Sequence, residues 1–135
     1  MNSRFPLNKL QSIKTPYYYY DMDLLEQTLT KVRQEAGKYG FVVHYAIKAN
    51  ANPLILEMIR TFGMGVDCVS GYEVQRALDC GFKPSGIVFA GVGKADWEIE
   101  LGLDNNIACF NVESLPELEI INEIAAAKGL RANVA

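Results

Sequence analysis

The sequence predicts an α/β protein built from a repeated strand-then-helix unit. Short runs of β-branched and aromatic residues alternate with segments of helical periodicity, at a repeat of about 20 to 25 residues. Three helix starts, at Asp23, Ser70 and Ser114, carry a glutamate three residues on, the spacing of a capping box. The stretch Val42-Val43-His44-Tyr45-Ala46-Ile47-Lys48-Ala49-Asn50-Ala51-Asn52-Pro53 reads as a core strand that runs into a lysine and then straight into a helix start.

Taken in order, residues 1–14 are a polar lead with isolated Phe5, Leu7 and Leu10, expected as a loosely packed arm. Thr15-Pro16 enters a short strand, Tyr17 to Tyr20, rich in an aromatic that favours sheets. Asp21 or Asp23 caps the next helix, in which Leu25, Leu29, Val32 and Ala36 recur at helical spacing up to Gly37. The strand Val42 to Ile47 is apolar enough, apart from His44, to be covered on both faces of a parallel sheet. Asn52 supplies a cap and Pro53 the first residue of a helix whose apolar face is Leu54, Ile55, Met58 and Ile59, ending near Gly63. A second strand follows at Gly65 to Val69. Ser70 then opens a helix carrying Val74, Ala77 and Leu78 inward to Gly81. Ile87 to Ala90 is the third core strand, Asp96 to Leu103 the next helix and Ile107 to Phe110 the fourth strand. Ser114 starts a helix through Leu118, Ile121, Ile124 and Ala125 to Gly129, and Arg131 to Ala135 begins a further strand.

With 135 residues, 50% of them hydrophobic, the chain forms one domain at most, with enough apolar material for a core. A net charge of -3 gives no basic footprint for nucleic acid. Met1 to Leu10 contains no continuous apolar segment, so neither a signal peptide nor a membrane span is expected and the location expected is cytoplasmic. Cys68, Cys80 and Cys109 are odd in number and far apart, as reduced thiols are. One histidine and no CxxC argue against a zinc site, and no metal is expected.

Lys48 is the first candidate for chemistry, because α/β folds place their reacting groups at the carboxyl ends of strands. Its bland reading is a strand-end ammonium that reaches solvent; the sharper one is an amine held in a pocket as a nucleophile toward an aldehyde. Alternation puts His44, Ala46 and Lys48 on one side of the strand, with Ala46 leaving space for a flat ring. Asp67 ends the next strand, where a carboxylate also suits the positive end of a helix. Glu73 is explained as the capping-box partner of Ser70. Gly91-Val92-Gly93-Lys94 fails both glycine-rich phosphate patterns and reads as a strand-to-helix turn on the active-site rim.

The segment His44-Tyr45-Ala46-Ile47-Lys48-Ala49-Asn50 resembles the lysine motif of the pyridoxal-phosphate-dependent diaminopimelate and ornithine decarboxylase family. Further matches follow in register: Thr15 to Asp21, Val66 to Glu73, Ile87 to Asp96 and Phe110 to Leu118. The set is most similar to the diaminopimelate branch. The resemblance implies the first half of a (β/α)8 barrel over 23–135, with 1–22 contributing an arm and the Tyr17 to Tyr20 strand of a separate β domain. Periodicity alone leaves a doubly wound sheet equally open. The resemblance further implies pyridoxal 5'-phosphate as cofactor, Lys48 as the residue that holds it, and Asp67 and Glu73 beside it. The implied reaction is decarboxylation of meso-diaminopimelate to L-lysine in a homodimeric parent protein. A related amino-acid decarboxylase of the ornithine or carboxynorspermidine type, or a non-catalytic pyridoxal-phosphate carrier, is the alternative. The family's later phosphate-holding loops, ring-stacking histidine and acid facing the pyridine nitrogen have no counterpart here. The chain is therefore expected to be an N-terminal fragment, inactive alone.

Overall fold

The computed structural model describes residues 6–135. Among them lie six α-helices and four β-strands: α1 (Leu7–Leu10), α2 (Met22–Gly37), β1 (His44–Ala46), α3 (Pro53–Thr61), β2 (Gly65–Cys68), α4 (Gly71–Asp79), β3 (Ile87–Phe89), α5 (Asp96–Asp104), β4 (Cys109–Phe110) and α6 (Leu115–Ala127). The helix starts follow local chemistry. Asp21 accepts from the Leu24 N–H and Asn52 from the Leu54 N–H, and the Ser70 and Ser114 hydroxyls accept from the N–H groups of Glu73 and Glu117. Asp21 rather than Asp23 caps α2, so the spacing of Asp23 with Glu26 is not used as a box.

All four strands are parallel, in the order β1-β2-β3-β4. A doubly wound sheet reverses its order at a switch point, whereas this one advances in a single direction. Right-handed crossovers then carry α3, α4 and α5 onto the same face. The expected partial barrel is what this order builds. Residues 133–135 continue it, with Val134 bridging in parallel to Phe110 and the Phe110 N–H donating to the Asn133 carbonyl at 2.9 Å.

Alternation divides the sheet into a dry face and an open one. Val66, Cys68, Ile87 and Phe89 are fully buried under the helices, and Phe110 is 2% exposed. Leu56 and Ile59 of α3, Val74 and Ala77 of α4, Ile99 of α5 and Ile121 of α6 close over them. On the other face the register sets Ala46, Asp67, Val88 and Cys109 in one row across the four strands, each half-buried.

Four expectations need correction. Val42 is 77% exposed and β1 begins only at His44, because β1 is paired on one side alone and no layer among the described residues covers its second face. Tyr17 to Tyr20 form no strand in the structure. Leu54 sits 68% exposed at the first turn of α3, where Ile55, Leu56 and Ile59 turn inward instead. Part of the expected arm, Leu7–Leu10, is a short helix, while Phe5 lies outside the described residues.

Gly102 shows how closely the helix layer sits on the sheet. A Cβ built there would lie 2.5 Å from Cζ of Phe110 and 3.1 Å from Cδ1 of Ile107, both core side chains. Gly102→Ala is expected to lower stability by about 1–3 kcal/mol, read as a reduced urea midpoint at unchanged slope.

Candidate active site

The carboxyl end of β1 gives way to a single 3₁₀ turn, Ile47–Ala49. Ile47 is fully buried and pins the turn to the core. The Tyr45 hydroxyl donates to the Asn50 carbonyl at 3.2 Å, and Asn50 Oδ1 accepts from the Asn52 N–H at 2.9 Å, closing the loop into α3. Lys48 stands on this turn, exposed, and its amine has no partner among the described residues. The turn interrupts the alternation at Ile47, so Lys48 does not simply continue the His44 and Ala46 face.

Asp67 is the third residue of β2, inside the strand rather than at its end, paired with Ala46 on one side and Val88 on the other. Its Oδ1 is buried and has no hydrogen-bond partner among the described residues. Native proteins rarely leave a buried carboxylate oxygen unsatisfied. The atom lies in β2, next to β1, whose carboxyl end leads into the Lys48 turn, and is an acceptor without a donor among the described residues.

Glu73 is both a helix-start residue and a tie to the strand. Its N–H donates to Ser70 Oγ, as the capping pattern expects, but its Oε2 reaches one residue further back and accepts from the Val69 N–H at 2.7 Å. Oε1 keeps no protein partner among the described residues. Asp67 and Glu73 flank Cys68 closely enough to act on it: burial first, then the charge of Glu73 and then that of Asp67, push the Cys68 thiol from 9.0 up to about 12.

His44 is not part of this group. It opens β1 at the amino end, and its ring lies across Gly65, where a Cβ would meet Cδ2 at 2.5 Å. The Gly86 carbonyl oxygen would lie as close, at 2.5 Å, so the ring and the neighbouring backbone together require glycine at 65. His44 stands four residues from the lysine that sequence alternation placed on the same face.

Sequence reasoning placed the Gly91–Lys94 turn on the rim but missed the contacts that fix it. The turn Gly91–Gly93, with φ of 95° and 72° at its two glycines, brings Lys94 back under itself. The side chain is 1% exposed, and its ammonium donates to the carbonyls of Gly91 and Asn111 at 2.9 Å each and to Glu117 Oε1 at 2.5 Å. Glu117 Oε2 accepts from the Glu113 N–H. Glu98 does similar work one unit earlier, accepting from the Gly71 and Ala95 N–H groups. The signal was present in the recurring third-position glutamates, each of which has an oxygen to spare after capping.

The described chain thus has one free amine at the strand ends, a buried orphan carboxylate oxygen in the neighbouring strand, and a rim fixed by carboxylates. Residues 22–135 match the family described as pyridoxal-dependent decarboxylase, pyridoxal binding domain. The chain belongs to that family. Among its curated relatives, the diaminopimelate decarboxylase of Bacteroides thetaiotaomicron is 58% identical over all of this chain and 35% of its own length. That of Helicobacter pylori strain J99 is 44% identical over 92% of this chain and 31% of its own length. The chain therefore spans about a third of the length of the curated relatives it matches. Solved structures agree. Diaminopimelate decarboxylase from Helicobacter pylori, complexed with L-lysine, matches 95% of this chain and 32% of its own at 42% identity and a TM-score of 0.85. The M. jannaschii enzyme in complex with L-lysine matches 96% of this chain and 31% of its own at 36% identity and a TM-score of 0.89.

These residues are of a kind that fits a pyridoxal cofactor: Lys48 offers an amine that can meet an aldehyde, and the neighbouring strand holds an acceptor without a donor among the described residues. Because the Cys68 thiol is held near 12, it is expected to resist a thiol reagent at pH 8 in the native chain and to react at once in denaturant, as peptide mass spectrometry can read. The proton it keeps contributes stability that is whole below pH 9.0 and is lost as pH rises toward about 12.

Among the described residues, no helix is long and apolar enough to cross a membrane, and no cluster of His, Cys, Asp and Glu could hold a metal. The three cysteines are free, Cys68 buried and the other two half-buried.

Proposed function

We propose that this chain is the lysine-bearing part of a pyridoxal-phosphate-dependent decarboxylase that converts meso-diaminopimelate to L-lysine. One observation carries the choice of lysine. Of the two lysines on the carboxyl-end turns after β1 and β3, Lys94 has all three N–H donors engaged and Lys48 has none. A nucleophilic amine must be unprotonated and reachable, and only Lys48 meets the second condition. Identity of 58% to a diaminopimelate decarboxylase supports the substrate over the ornithine and carboxynorspermidine alternatives and over a carrier without turnover.

Bound pyridoxal phosphate supplies an electron sink for the carbon that loses carbon dioxide. The protein's part is to bind and orient. Lys48 would hold the cofactor through its Nζ. Asp67, through its orphan Oδ1, accepts a hydrogen bond there and favours a cationic group beside it. Glu73 keeps the end of β2 in place and offers its second oxygen toward the same region. Residues 23–135 form the first half of the (β/α)8 barrel and 1–22 lead in from a β domain of the parent protein, which works as a cytoplasmic homodimer on a small amino-acid substrate. Without the rest of the parent, the 135-residue chain is inactive by itself.

Treatment of this chain with pyridoxal phosphate followed by borohydride is expected to place the reduced tag on Lys48 and to leave Lys94 unlabelled. Lys48→Ala is expected to abolish that tag, and in the longer protein to reduce carbon dioxide release from meso-diaminopimelate to background. A tag spread evenly over the surface lysines, equal in Lys48→Ala, overturns the assignment.

A further inference from the structure

Lys94 has no part in the cofactor assignment above, yet its side chain is 1% exposed. Burying a charged pair stabilises a fold little, since apolar replacements of the same shape are often as stable. The reason for this one lies in what it joins. Its three donors meet three acceptors on three segments: the Gly91 carbonyl of its own turn, the Asn111 carbonyl just past β4, and the Glu117 carboxylate in the first turn of α6. The Phe89 ring lies beneath, its centroid 5.4 Å from Nζ. A tetrahedral ammonium suits this arrangement where a planar guanidinium does not.

The Gly91 turn in turn bears on β2. A Cβ at Gly91 would lie 2.9 Å from the Val69 carbonyl oxygen and 3.3 Å from Val69 Cβ, so backbone meets backbone with no flexible side chain to give way. The Val69 N–H is the one that Glu73 holds at 2.7 Å. A continuous path therefore runs from Glu117 through Lys94, Gly91 and Val69 to Glu73. We propose that Lys94 is a positioning residue: clasped to Glu117, it seats the Gly91 turn against Val69 and so sets the position of Glu73 at the candidate site. This rests on the reading of the site given above.

The test is amide hydrogen exchange on the full chain by NMR, comparing Val69 with Gly65, whose N–H donates to the Val43 carbonyl at the far end of β2. Lys94→Met alone leaves the Glu117 charge buried and can unfold the chain, so Lys94→Met with Glu117→Gln, which is neutral and close in shape, carries the measurement. The expected result is Val69 exchange accelerated about tenfold or more relative to Gly65. An unchanged ratio of the two overturns the proposal. The second readout is the pH profile of reductive tagging at Lys48, which the double substitution is expected to displace. Faster Val69 exchange with an unmoved profile overturns the positioning role. If neither protein is tagged at Lys48, the cofactor reading fails by itself, and the exchange ratio still decides whether the clasp holds Val69.

Discussion

Everything in this molecule depends on the one-way advance of its parallel sheet. Each crossover returns on the same side, so one face of the sheet is sealed by helices and the other is left with a row of half-buried residues. The sealed face is as apolar as a core can be, with Val66, Cys68, Ile87 and Phe89 wholly removed from water. That burial gives the strands their rigidity and leaves their carboxyl ends free to carry polar groups. Lys48, Asp67 and Glu73 all occur within a few residues of those ends or face the open side, as the same constraint requires.

A second theme is the use of carboxylates at helix starts. Glu73, Glu98 and Glu117 each sit near a helix N-terminus, where negative charge is favourable, and each accepts from a main-chain N–H of the preceding loop. Glu98 and Glu117 go further and link neighbouring βα units, to Gly71 and to Lys94. The loops that frame the candidate site are thereby held by electrostatics at their bases, leaving their tips available for a ligand.

Much of this was legible in the sequence. Ser70, Ser114 and the Asn52-Pro53 pair marked helix starts that the structure keeps, because capping is local chemistry that needs no tertiary information. The four core strands were found but drawn too long: a run of apolar residues says what can be buried, while the ladder that ends a strand is set by its neighbour. At the site, the sequence marks the Lys48 turn after β1 but misplaces Asp67 at a strand end, and the orphaned oxygen of Asp67 and the buried bonds of Lys94 depend on contacts between units far apart in the chain. The Lys94 to Glu117 link crosses 23 residues, a distance over which local pattern is silent.

The packing of His44 across Gly65 has an evolutionary corollary. Imidazole and any side chain at position 65 compete for one volume, since a Cβ there would fall 2.5 Å from the ring. The constraint is one-sided, because the ring is not all that fills that volume. A lineage that replaces His44 with a smaller residue still meets the Gly86 carbonyl oxygen 2.5 Å from a Cβ at position 65. The glycine is thus held by the backbone entering β3 as well as by the ring, and in relatives position 44 is expected to vary while position 65 does not.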